Sequence, residues 1–355
     1  MQKAITAGLQ RTVGIDLGDR YSCYEIVEAD GETVGQGRLS TTVHGLEQTF
    51  GACAPTRMVI ETGTHVHWVK DVLAGLGHEV IVANARKVEV IWRNQRKSDE
   101  TDAGLLARLG RSDPQLLSPV VLRDPAAQND LALIRSRENV VRTRTQLINA
   151  VRGLVKSRGA RLPRCSAASF HKKALGELPA TLRAVLEPMV VTAGYVTGQI
   201  RGYNRQIAAL IETKYPVAKH LSQVSGVGPL SALTYVLVIG DPRRFRRARQ
   251  VGAYVGLVAR RDQSGARDPQ LGITKTGHAL LRRLLVQAAH YILGPFGADS
   301  DLRRFGLKIA ARGGKAAKKR AVIAVARKLA VLLHRLWLTG EVYEPLRHAE
   351  SARPR

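Results

Sequence analysis

The chain has 355 residues, 45% of them hydrophobic, and a formal net charge of +26; it can bury a core in roughly two or three domains, and it calls for a polyanionic partner. Its three cysteines, Cys23, Cys53 and Cys165, stand singly, which excludes a disulfide framework and a CxxC zinc site. The start has no apolar core of signal-peptide length and no run of about eighteen apolar residues exists, so a cytoplasmic protein with no membrane partner is expected.

In chain order, Thr12–Leu17, Ser22–Ala29 and Thr33–Leu39 read as strands, the last two joined by the turn Asp30-Gly31. A short helix near Val43–Phe50 leads to the strand Met58–Glu61, a helix over His65–Leu76, the strand Glu79–Ala83 and a helix beginning at Ser98. The order βββαβαβα is that of the RNase H fold. After Pro114 and Pro119 long Arg-rich helices take over. Asn129–Arg158 places Leu131, Ile134, Val141, Leu147, Ile148, Val151, Leu154 and Val155 at helical spacing, and a second helical stretch covers Leu175–Thr213. The two can form an antiparallel hairpin or a coiled coil between protomers, and the heptad is too irregular to choose. From Leu221 the chain reads as a second globular domain, helical to about Thr339, and Arg347 to Arg355 have no periodicity.

Charge divides along the same line. Residues 1–110 hold 12 Lys and Arg against 14 Asp and Glu, so residues 111–355 carry a net +28. In the acidic part, Asp16 and Glu61 end strands whose carboxylates project from one sheet edge in this topology, and Asp99 and Asp102, behind the N-cap Ser98, share one face of a helix's first turn. Such hard oxygen ligands suit Mg²⁺, which can clamp the attacking and leaving oxygens of a phosphodiester. Singly, each acid reads as a turn or helix-start residue; together they read as a metal site. His65 and His67 stay outside it. Gly14-Ile15-Asp16-Leu17-Gly18 also resembles the first phosphate loop of actin-like kinases, but the second phosphate loop and the adenosine loop are missing.

In the basic part, Gly226-Val227-Gly228-Pro229 resembles a helix-hairpin-helix turn, whose glycines let backbone N–H groups approach a phosphate. Arg243, Arg244, Arg246, Arg247 and Arg249 follow it. The loop Arg260-Arg261-Asp262-Gln263-Ser264-Gly265 holds a hydroxyl among cations, with Arg267 and Lys275 close behind. A Ser-Gly pair alone is most often a turn, so spacing does not find a nucleophile. Lys275-Thr276-Gly277 is no Walker loop, and with Ser169-Phe170-His171-Lys172 it mimics β-lactamase motifs without their Ser-Asp-Asn. Candidate nucleic-acid contacts are Gly226, Gly228, Arg244, Arg247, Arg261, Arg267, Lys275, Lys318 and Lys319. Aromatics at 5% leave few stacking platforms for exposed bases.

Taken together, Val13-Gly14-Ile15-Asp16, Ile60-Glu61-Thr62-Gly63, Lys97 to Ala103, Gly226 to Pro229, Gly240-Asp241-Pro242, Gly256-Leu257-Val258, Ser264-Gly265 and Gly272 to Gly277 resemble the DEDD transposases of the insertion-sequence-110 family, including its insertion-sequence-1111 branch. Where that family usually shows Pro after Gly-Leu and often a doubled serine, this chain has Val258 and Gln263-Ser264.

The resemblance implies an α/β plus α protein: a RuvC-like domain of RNase H fold over 1–118, a helical connector or coiled coil over 119–219, a helix-rich transposase domain with the serine loop over 220–340, and a tail over 341–355. It implies Asp16, Glu61, Asp99 and Asp102 as the Mg²⁺ ligands and catalytic acids, and Ser264 as the nucleophile. It further implies a serine recombinase acting on donor and target DNA, guided by a structured RNA, in a homo-oligomer (dimer or tetramer) where one protomer's carboxylates complete another's serine site. The alternatives are a RuvC-like junction-resolving nuclease using the carboxylates alone, and a non-catalytic architectural DNA-binding protein.

Overall fold

The structure, a computed structural model, describes residues 11–84, 98–265, 269 and 271–347. The chain divides into two compact units, 1–125 and 126–355. In the first, the strands are β1 (Arg11–Asp16), β2 (Tyr21–Glu28), β3 (Thr33–Ser40), β4 (Arg57–Glu61) and β5 (Glu79–Ala83). The helices are α1 (Val43–Phe50), α2 (Val66–Gly75) and α3 (Asp99–Ser112). Each lies within a few residues of its expected place. The sheet runs β3-β2-β1-β4-β5, with β1 antiparallel to β2 and parallel to β4, and β4 parallel to β5.

Alternation sorts the two faces of that sheet, as a period of two demands. Val13, Ile15, Met58, Ile60 and Val82 pack with Leu46, Phe50, Val69 and Leu73 of α1 and α2. Val59 and Ala83 pack on the opposite face with Leu106 of α3 and Leu117. α3 lies close to the sheet because Gly14 has no side chain: a Cβ there would stand 2.1 Å from the Ala103 carbonyl oxygen and 2.4 Å from the Ala107 nitrogen. Over β2, Arg108 of α3 pairs with Glu25 at 3.0 Å and donates to Thr33 Oγ1 at 3.1 Å.

The second unit begins with two long helices, α4 (Pro125–Ser157) and α6 (Ala180–Thr213), with the short α5 (Phe170–Gly176) between them. They form an antiparallel hairpin within one chain. Asp130 meets Lys214 and Tyr215, Arg137 Nε donates to Asn204 Oδ1 at 2.6 Å, and Arg144 Nη1 reaches Thr197 Oγ1 at 3.5 Å. Far from that base, Ile148, Val151 and Val155 pack with Phe170, Leu186, Val190 and Ala193. Leu154, placed on the apolar stripe by its spacing, is instead 47% exposed, because the partner helices cover only the side holding Val151 and Val155. The stretch 175–213 is not one helix: Pro179 precedes α6, which carries Pro188 within it.

Beyond the hairpin come α7 (Pro216–Leu221), α8 (Pro229–Ile239), α9 (Arg249–Tyr254), α10 (Ala279–Leu293), α11 (Asp301–Ala310) and α12 (Gly314–Thr339). Leu131, Ile134, Ile207 and Ile211 of the hairpin share one core with Tyr235, Leu281, Leu285, Leu329 and Leu333. The base of the hairpin and the helices that follow it are therefore packed around a common core. No helix among the described residues is long and apolar enough to cross a membrane.

Candidate active site and nucleic-acid surface

Ile15 and Ile60 are partners in the parallel β1–β4 ladder, so the next residues, Asp16 and Glu61, end neighbouring strands on the same side. Ser98 caps α3, its Oγ accepting from the Thr101 N–H at 3.2 Å, and Asp99, Glu100 and Asp102 fill the first turn. Acids there meet the positive end of the helix dipole. Asp102 is 3% exposed and Asp99 is exposed, and Asp102 immediately precedes Ala103, the residue pressed on Gly14.

Cys23, the ladder partner of Asp16, reports the local field. Its thiol pKa is pushed up by burial, then by Asp99 and Glu100, and further by Asp16, against the lowering effect of Arg38. Asp16 and the first turn of α3 therefore act on one neighbourhood. Among the described residues no group of three or more His, Cys, Asp or Glu side chains gathers to hold a metal ion. The donor chemistry fits a hard divalent cation, since Asp16, Glu61, Asp99 and Asp102 offer only carboxylate oxygens. His65 is otherwise engaged: its Nδ1 accepts from Trp68 Nε1 at 3.2 Å and its Nε2 faces Asp19 at 3.6 Å.

In the second unit, Gly226 takes φ +88° and leads to Gly228, the residue before α8. A Cβ on Gly226 would come within 3.0 Å of the Ala288 carbonyl of α10, so the turn sits tightly on that helix. The guanidinium of Arg244 stacks over the rings of Phe245 and Tyr254, at 5.0 and 4.6 Å. Arg247 is exposed beside it.

The serine lies beyond a pinned neck. Ala259 bridges Ile273 in antiparallel fashion, Arg260 N donates to Gly272 O at 2.9 Å, and Thr274 N donates to Val258 O at 2.9 Å. Below them Gly256 (φ +71°) and Gly277 (φ +70°) let backbone pass backbone, where a Cβ would stand 2.3 Å from Thr276 O and 2.0 Å from Tyr254 O. Arg282 Nη1 donates to Thr276 O at 2.6 Å and ties the neck to α10. Ser264 is exposed on the loop past this neck, as is Arg261, while Lys275 is exposed in the neck itself, held at φ +56° with its N–H donating to Gly256 O at 3.2 Å. Arg267 lies outside the described residues. Lys318 and Lys319 are exposed near the start of α12, and Lys319 faces a cleft together with Arg261. That cleft also takes in Arg260, one of the cations of the serine loop, and Arg320 and Arg327, which sequence reasoning passed over. The available signal was the spacing of Arg320, Ile323, Ala324 and Arg327, which puts cations and aliphatics on one helix face.

Residues 13–158 match the DEDD transposase model for insertion sequence IS110, and residues 218–298 match the model for transposases of the IS116/IS110/IS902 family. The chain is similar to the transposase for insertion sequence element IS1111A of Coxiella burnetii, 28% identical over 288 residues that cover 78% of this chain and 76% of that protein. It is 28% identical over 281 residues to the transposase for element IS1328 of Yersinia enterocolitica, covering 78% of this chain and 82% of the relative. The pilin gene-inverting protein of Moraxella lacunata is 26% identical over 264 residues, 71% of this chain and 70% of its own length.

Proposed function

We propose that the chain is an IS110-type transposase, as the matches over residues 13–158 and 218–298 support, and that it cuts and rejoins DNA through Ser264 with a divalent metal held by Asp16, Glu61, Asp99 and Asp102. The observation that carries this reading is the β1–β4 register, which sets Asp16 beside Glu61 while Gly14 admits the acidic start of α3 to the same strand. The order β3-β2-β1-β4-β5 also supports a RuvC-like reading of this unit, since it is the strand order of the RNase H fold. Bound among those carboxylates, Mg²⁺ would supply Lewis-acid polarisation of the phosphate oxygens.

The chain's own residues supply the rest. Ser264 Oγ bonds to phosphorus while one deoxyribose oxygen leaves, the serine proton passing by way of solvent to that leaving oxygen; a deoxyribose hydroxyl later attacks the same phosphorus, returns a proton to Ser264 Oγ as it departs, and restores the phosphodiester. One phosphodiester replaces another, so rejoining requires no external energy source. Arg261 and Lys275 hold the strand's phosphates by charge, and the turn at Gly226 and Gly228 offers backbone to a further phosphate. Sequence choice is delegated to a structured RNA, supported by the +28 carried after residue 110 and by the few aromatics, and the working assembly is a homo-oligomer.

The test is the covalent adduct. Wild-type protein with DNA of its own element gives a protease-sensitive gel shift that mass spectrometry maps to Ser264, and Ser264→Ala binds nucleic acid but gives none. Ser264→Ala protein that still cuts at the wild-type rate leaves the carboxylates as the whole machinery, and the protein a nuclease. RNA guidance has its own arm: recombination of defined DNA by RNase-treated, RNA-free protein eliminates it.

A further inference from the structure

A cleft of about 710 Å³ lies between the neck of the serine loop and α12, within the ~300–1,000 Å³ typical of small-molecule sites. Arg260 enters from the loop and Lys319, Arg320 and Arg327 from α12, and among the described residues none of these four has an acidic side chain within ion-pair distance. Arg327 is held in place: its stem crosses Gly252 of α9, where a Cβ would stand 3.0 Å from its Cγ. Between the cations the lining is aliphatic, from Leu257, Ile273, Ile323 and Ala324.

A solvated cationic ridge needs no apolar floor, and a site for a bare phosphate would have polar donors there. A cationic rim over an aliphatic floor matches a ligand that is anionic at its edge and flat and weakly polar at its centre. We propose that this cleft takes one unpaired nucleotide of the DNA strand joined at Ser264, its flanking phosphates on Arg260, Arg320 and Arg327 and its base on Ile273, Ile323 and Ala324. The assignment of DNA rests on Ser264 acting as nucleophile, since the wall that carries Arg260 continues into the serine loop. A paired base cannot reach an aliphatic floor without leaving its stack, so the cleft selects strands that are already open.

Full-length protein is titrated into labelled ten-nucleotide single-stranded DNA, the same sequence as duplex DNA, and as RNA, across a salt series by fluorescence anisotropy. The double variant Arg320→Gln, Arg327→Gln removes two phosphate contacts and lowers the slope of log affinity on log salt by about 1.4 for single-stranded DNA. Ala324→Leu fills the floor with aliphatic bulk and offers no ring for a base to stack on, weakening single-stranded DNA about tenfold and leaving duplex DNA unchanged. Wild-type affinity and slope in both variants overturn the cleft, equal weakening of duplex and single strand by Ala324→Leu overturns the base pocket, and an effect confined to RNA overturns the DNA assignment. These titrations need no cutting, so they stand apart from the adduct test: affinities and salt slopes are read whether or not an adduct forms.

Discussion

Gly14→Ala isolates the contact on which the acidic site depends. The added methyl would stand 2.1 Å from Ala103 O, against the 3.4 Å at which ordinary contact begins, a shortfall of 1.3 Å, and Ala107 N is only 2.4 Å away. Both are helix backbone atoms that no rotamer change can remove, so α3 must retreat as a body and carry Asp99 and Asp102 with it. Overpacking costs about 1–3 kcal/mol, and a backbone clash belongs at the upper end. About 3 kcal/mol corresponds to roughly a hundredfold loss of amide protection across residues 99–112, read by hydrogen exchange and mass spectrometry of the full chain. A displacement of about 1 Å at a catalytic group lowers rate by about 10²-fold, read as recombination of a plasmid substrate. Gly75→Ala, at the last residue of α2, serves as control: nothing lies within 4 Å of its added methyl. Unchanged protection over 99–112 together with unchanged recombination in Gly14→Ala would refute the reasoning.

Asp16→Asn, Glu61→Gln, Asp99→Asn and Asp102→Asn should each lower recombination by at least about 10²-fold while hydrogen exchange of β1 and β4 stays as in the wild type; two or more variants at wild-type rate make the acids structural. Tyr215 has its pKa pushed up to about 12, first by burial and then by its hydrogen bond to Asp130, with Lys214 opposing. Because the folded pKa is raised, the phenol's stabilisation is full below the ordinary tyrosine pKa near 10 and is lost as pH rises towards 12. Ultraviolet titration should therefore show a late-ionising tyrosine that Tyr215→Phe removes, and the base of the α4–α6 hairpin should loosen over the same pH range; an unchanged titration curve in Tyr215→Phe would contradict this. Tyr235→Phe removes a buried donor to Ala330 O at 2.7 Å and should destabilise the second unit by about 1 kcal/mol, measured by urea unfolding.

Local chemistry was legible in the sequence and long-range approach was not. The Ser98 cap, the Asp30-Gly31 turn and the strand periods announce themselves within a few residues, and they place Asp16, Glu61 and Asp99 on their elements. Gly14 gives no such sign, because its reason is a helix some ninety residues away. The irregular heptads of 129–213 become intelligible once the helices serve two cores, one near Ile148 and Val190 and one near Leu131 and Ile207. Leu154 was misplaced for the same cause, since periodicity gives a stripe and not its width. Arg260 and Arg327 lie 67 positions apart, and only the fold brings them to one cleft.

The pinned neck below Ser264 separates the length of the loop from the integrity of the domain. Its ends are joined by Gly256 against Thr276, Gly277 against Tyr254 and the bridge of Ala259 to Ile273, none of which involves a residue between 261 and 271. Closure entropy rises by only about 0.6 kcal/mol for each doubling of loop length, so insertions beyond the neck leave the packing beneath almost untouched. Such a loop behaves as an exchangeable cassette, in which substrate reach can drift between lineages while the scaffold that presents the serine stays fixed.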